Sequence, residues 1–190
     1  MANIEHDSSA RSHLVMMLSA TAIEHGISQR ALVAIDNLAS AVALLRVQFE
    51  TVTRALWLHF AASDERIDRI ADLIDSRSLK ELANTPSMRE MIDVLGKRAP
   101  PPIGRMLGEL KKAAWDPLNS YVHGGIHPMM QAFHGYPPEY ALQSLRTSNG
   151  LSSMAVMLMA DLSGDAEVTN RVLEIQYAHL DCLPPLAPGE

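Results

Sequence analysis

The sequence predicts an all-α fold: a single-domain helical bundle with one long spine helix and an interrupted helix-turn segment at 116–136. Three observations carry this. Hydrophobic residues make up 47% of the 190 but aromatics only 5%, so the apolar content is largely Ala, Leu and Met, which lose least on entering a helix. Apolar positions recur at spacings of three and four. Gly and Pro gather between these runs, where helices end and the chain turns.

Residues 1–8 read as a frayed tail, 9–182 as the bundle and 183–190 as a Pro-rich tail. Ser9 can cap a first helix to about His25, stopped at Gly26, with Leu14, Met17, Leu18, Thr21 and Ala22 inward. Ser28 opens the longest pattern, the spine, which reaches about Ala62 without Gly or Pro. Ser63 and Asp64 start the next helix, with Ile67, Ile70, Ala71 and Ile74 as its buried spacing. Thr85-Pro86 has the form of an N-cap and first helical Pro for a short helix through Met88, Met91, Ile92 and Leu95. Pro100, Pro101, Pro102 and Gly104 make 97–104 a stiff connection, followed by a helix from about Ile103 to Trp115.

Asp116-Pro117 then reads as a second cap with Pro at N1, giving a short helix to His123 that ends at Gly124-Gly125. His127-Pro128 begins another turn, stopped at Gly135, and Tyr136-Pro137-Pro138 starts the C-terminal hairpin. Asn149-Gly150 is a candidate kink in its first helix, which ends at Ser163-Gly164. Asp165 caps a last helix that buries Val168, Val172, Ile175 and Leu180.

A formal net charge of −6 disfavours broad attraction to nucleic acid. A local basic patch of Lys97, Arg98, Arg105, Lys111 and Lys112, interrupted by Glu109, reads as a solvated helix face. With Cys182 the only cysteine, no intrachain disulfide and no cysteine-based zinc site can form. The N-terminus lacks the basic flank of a signal peptide, and no apolar run approaches the ~20 residues of a membrane span. The expectation is a cytoplasmic protein that needs no membrane, metal or cofactor.

Two groups of side chains stand out. Arg46, Glu50 and Arg54 follow at i, i+4 and i+8 and line one helix face, either as solvated ion pairs or as part of a site. The stretch 115–140 holds three of the eight histidines, one of the two tryptophans and three of the four tyrosines. Within it Asn119 and His123 are helix neighbours. Gly124 and Gly125 let backbone approach a ligand, and amides at the turn before Pro128 can face an anion. His123, His127 and His134 with Asp116 or Glu139 form a weaker metal reading, because Gly124-Gly125 breaks the helix that would align the ligands. Asn119, Tyr121 and His123 read as a polar corner facing the arginine stripe; a phosphate-bearing ligand would use Arg46, Glu50, Asn119, Tyr121, Gly124, Gly125, His127 and Tyr136. The alternative is that these histidines and tyrosines only satisfy backbone groups at tight turns.

Leu118 to Gly125, with Gly135-Tyr136-Pro137 and Ser148-Asn149-Gly150-Leu151, resembles a family of bacterial all-helical proteins known as a domain of unknown function. Arg54-Ala55-Leu56-Trp57-Leu58-His59 resembles the Arg-x4-6-His signature of HEPN ribonucleases, and a looser likeness extends to HEPN-type abortive-infection proteins. This resemblance implies a homodimer acting on RNA without a metal. His123 or His59 would be the base toward a ribose hydroxyl, and Arg54 or Arg46 would stabilise the charge developing on the phosphate. On a straight helix Arg54 and His59 lie about 140° apart, so they converge only through a kink or across a dimer. The competing function is a non-catalytic dimeric binding or interaction module with a purely structural polar corner.

Overall fold

In the computed structural model, which describes residues 9–75 and 85–185, eight α-helices and one 3-10 turn follow one another, and no strand occurs among the described residues. The helices are α1 (Ala10–Ala34), α2 (Leu38–Phe60), α3 (Asp64–Asp75), α4 (Met88–Arg98), α5 (Pro101–Val122), α6 (Ile126–His134), α7 (Pro138–Ser163) and α8 (Ala166–Ala178). The all-α class is as the composition requires. The tail expected at 1–8 lies outside the described residues, as do residues 186–190 of the tail expected at 183–190.

The centre of the bundle is α2, which packs against α1, α4, α5 and α7. Its buried positions, among them Val42, Leu45, Phe49, Val52 and Leu56, repeat at helical spacing and join Leu95 of α4, Leu107 of α5 and Ala155 of α7 in one core. The spine is shorter than the expected Ser28–Ala62 pattern because the chain reverses at Ile35–Asn37, where Asp36 takes a positive φ of 60°. Asp and Asn tolerate that conformation better than most residues. The result is an α1–α2 hairpin.

Gly26, the expected stop of the first helix, lies in mid-helix instead. A Cβ there would sit 2.6 Å from Ser152 Oγ and 3.0 Å from Gln48 Nε2. Beside it Gln29 Nε2 donates to Gln48 Oε1 at 2.8 Å, Ser148 Oγ donates to the same oxygen at 2.8 Å, and Gln48 Nε2 donates to the Ala22 carbonyl at 3.1 Å. This buried node ties α1, α2 and α7 together. Its groups are hydrogen-bonded, as buried amides must be to avoid a desolvation penalty.

Several boundaries differ from the local reading. The N-cap of α4 is Ser87, which forms a capping box with Glu90, rather than Thr85. The expected stiff connection at 97–104 shrinks to Ala99 and Pro100, because Pro101 and Pro102 enter the first turn of α5, where a missing N–H costs nothing. Pro117 starts no new helix; α5 runs through it. Asn149 and Gly150 do not break α7. They receive the C-terminal segment: Asn149 Nδ2 donates to the Cys182 carbonyl at 3.0 Å, and a Cβ on Gly150 would lie 2.9 Å from the Pro184 ring. Finally, α8 buries no residue; Val168 and Ile175 are exposed, because the helix packs at the edge of the bundle, mainly on α7, and Leu180, beyond its end in the 3-10 turn, is exposed too. Ile74 is likewise exposed, whereas Ile67 is buried as expected. No helix among the described residues is long and apolar enough to cross a membrane.

Candidate functional site

The arginine stripe forms. Arg46 Nη2 lies 2.7 Å from Glu50 Oε1, and Arg54 Nη1 lies 3.1 Å from Glu50 Oε2, so one carboxylate bridges two guanidiniums along α2. Their surroundings differ. Arg54 is half-exposed, but Arg46 is buried and lies over the Trp115 ring, 3.2 Å from its centroid. Phe49 meets the same ring edge-on, with centroids 6.1 Å apart. Burial holds the Arg46 pKa below the ordinary arginine value, with Glu50 acting in the opposite sense. Arg46 Nη1 is buried and has no hydrogen-bond partner among the described residues.

Trp115 of α5 thus meets the stripe, at Arg46. Asn119 and His123 are exposed on α5 and at its C-terminal end. Tyr121 turns inward to a cluster with Tyr140 and Tyr136: the Tyr121 and Tyr140 ring centroids lie 6.4 Å apart, and those of Tyr136 and Tyr140 lie 5.7 Å apart. The hydroxyls of Tyr121 and Tyr136 are buried without a well-aligned partner among the described residues. Burial, then the neighbouring phenols, push the Tyr121 pKa well above the usual 10.0.

The turn between α5 and α6 is internally satisfied. Gly124 takes a φ of +63°, a conformation that glycine adopts without a steric penalty. Ser120 Oγ accepts from the His127 amide at 3.1 Å and the Ser120 carbonyl accepts from the Gly125 amide at 2.7 Å. A Cβ on Gly125 would run into Ser120 Oγ. Two amides of this turn, those of Gly125 and His127, are thus engaged by Ser120, a role that the pattern of residue types concealed. His127 and His134 are exposed, and among the described residues no group of three or more His, Cys, Asp or Glu comes together in a way that could hold a metal.

His59 points elsewhere. Its Nε2 lies 2.9 Å from Asp161 Oδ2 and ties α2 to α7, while its ring meets Phe60 edge-on. Because α2 is continuous through both positions, Arg54 and His59 keep their separation around the helix.

Two further features were not singled out from the sequence. An open hollow of about 430 Å³ lies between α4 and α5, lined by Ile92, Asp93, Gly108, Lys111, Lys112, Trp115 and Asp116. The second is α6, where Ile126, Met129, Met130 and Phe133 are 59, 63, 52 and 86% exposed. These four stand at i, i+3, i+4 and i+7, one helical stripe, and α6 buries no residue. That spacing between Gly125 and Gly135 was available in the sequence; that no described residue covers it was not.

Fold and site together describe an α-helical bundle whose buried arginine stacks on a tryptophan and whose helix α6 exposes an apolar stripe. The chain belongs to the family of unknown function DUF6988, whose sequence model matches residues 19–185. No curated protein and no solved structure matches it.

Proposed function

We propose that this chain is a non-catalytic interaction module that pairs with a second copy of itself through α6. The observation that carries the reading is the exposed stripe of Ile126, Met129, Met130 and Phe133. An apolar helix face left in water is unfavourable and marks a surface that another surface covers. The helix contains no Asp, Glu, Lys or Arg, so it offers no charge to select an oppositely charged partner. On a chain of net charge −6, it is a surface on which two identical acidic copies can approach without facing like charges.

Magnitudes favour a reversible pair. Covering a half-exposed apolar side chain is worth about 1 kcal/mol, or on the order of 10 kcal/mol over both copies. Association costs roughly 4 to 15 kcal/mol in lost freedom. The balance is a concentration-dependent dimer.

Ribonuclease chemistry of the HEPN kind needs an arginine beside a histidine free to take a proton. Within one chain Arg54 engages Glu50, His59 engages Asp161, and His123 stands at the exposed end of α5. The non-catalytic reading therefore comes first. It is tested by sedimentation of wild type, Phe133→Glu and Met130→Glu over a range of concentrations. The expected outcome is a wild-type mass that rises toward the dimer and variants that stay monomeric with unchanged helicity and melting. A wild type that stays monomeric at the highest concentration, or charged variants that dimerise equally well, refutes it.

A further inference from the structure

We infer that the hollow beside Trp115 binds a nucleoside phosphate, with the base against the indole and the phosphate on Lys111 and Lys112. The hollow, about 430 Å³ and widely open to solvent, matches the ~300–1,000 Å³ of small-molecule sites in volume but not in enclosure. One wall is a single face of α5: Gly108, Lys111, Lys112 and Trp115 stand at i, i+3, i+4 and i+7. The opposite wall is Ile92 and Asp93 of α4.

Each part supplies a distinct interaction. Trp115 lines the hollow, whereas Arg46, which covers the ring at 3.2 Å, does not. The indole thus borders the hollow while Arg46 holds it from within the bundle. With Arg46 and Phe49 against it, the ring is held in one orientation, so a base that stacks there costs little further side-chain freedom. A Cβ built on Gly108 meets no atom within 4 Å, so the missing side chain leaves the floor open. Lys111 and Lys112 offer ammonium donors to a phosphate. Asp93 and Asp116 would repel a bare anion but accept hydrogen bonds from ring N–H and exocyclic amino groups. None of these four charged side chains makes an ion pair or side-chain hydrogen bond among the described residues. Aromatic surface, paired cations and paired acceptors in one hollow fit a ligand that is a stackable N–H donor at one end and an anion at the other. Guanosine monophosphate has that pattern.

The site is separate from α6 and stands or falls independently of self-pairing. Calorimetric titration of the full chain with guanosine monophosphate, guanosine and inorganic phosphate tests it. The nucleotide should bind, guanosine should bind about tenfold or more weakly for want of the charge-assisted contacts, and the Lys111→Ala/Lys112→Ala protein should lose the same factor. Gly108→Leu, which fills the floor, should abolish binding while melting like wild type; should it fail to fold, the lysine double variant on the surface carries the test. No nucleotide binding in the millimolar range overturns the assignment. So does inorganic phosphate binding as tightly as the nucleotide, binding unchanged by the lysine substitutions, or binding undiminished in a folded Gly108→Leu protein.

Discussion

The Arg46 guanidinium lies 3.2 Å from the centroid of the Trp115 ring, joining the central helix to α5 by a stack between a buried cation and an indole. Glu50 neutralises Arg46 on one side and holds Arg54 on the other. The charge is thus carried into the bundle with a partner and an aromatic surface, although Nη1 finds no acceptor among the described residues.

This arrangement predicts an asymmetry. Trp115→Ala removes the ring and opens the guanidinium toward the hollow, and should cost about 2 to 3 kcal/mol in urea unfolding. Arg46→Met keeps the volume and removes a desolvated charge, while Glu50 retains Arg54. It should cost less than about 1 kcal/mol. Equal losses for the two variants would contradict the account.

At the α1–α2–α7 node, Gly26→Ala gains helix propensity but drives a Cβ to 2.6 Å from Ser152 Oγ. Overpacking costs about 1 to 3 kcal/mol against a propensity gain of about 1 kcal/mol. The variant should therefore be no more stable than wild type and is expected to melt lower. A higher melting temperature would show that the three helices can move apart at little cost.

Gln48→Ala at the same node deprives Gln29 Nε2 and Ser148 Oγ of their shared acceptor. A loss of about 2 to 4 kcal/mol is expected, since a cavity and unsatisfied buried donors add. Chemical denaturation with the m-value checked for two-state behaviour measures it.

Tyr121 makes a prediction about alkali. Its folded pKa is raised above the ordinary 10.0, first by burial and then by the neighbouring phenols; Tyr140 is raised as well. A raised phenol contributes stability that is fully present below pH 10 and declines as pH climbs above 10 toward the folded value. Wild type should thus lose stability above that pH. Tyr121→Phe removes one such group and a hydroxyl without an aligned partner, and should flatten the decline with little effect at neutral pH. Melting temperatures of the two proteins across the alkaline range decide the matter.

Pro117 interrupts the hydrogen-bond ladder within α5 rather than starting a helix. Pro117→Ala restores the missing donor and should raise stability by about 1 kcal/mol or more. Unchanged or lowered stability would mean that the backbone set by Pro117 already suits the buried packing of Leu118 and Tyr121.

The family match over residues 19–185 places the stripe, the tyrosine cluster, the hollow and α6 all within the shared region. What the sequence by itself determined is the local part of this protein. Ser9 and Asp165 cap helices, Gly124, Gly135 and Gly164 end them with positive φ, and Arg46, Glu50 and Arg54 pair along one face. These follow from interactions spanning a few residues, which spacing and residue type encode directly. Tertiary structure decided which surface each segment meets. It turned Gly26 from a helix stop into a point of close approach and gave Asn149-Gly150 the C-terminal segment to receive instead of a kink. It set Trp115 on Arg46, ran α5 through Pro117, and left the stripe of α6 and most of the apolar positions of α8 uncovered. An apolar spacing states that a face seeks cover, but whether cover arrives depends on helices far away in the chain, whose positions no local pattern contains.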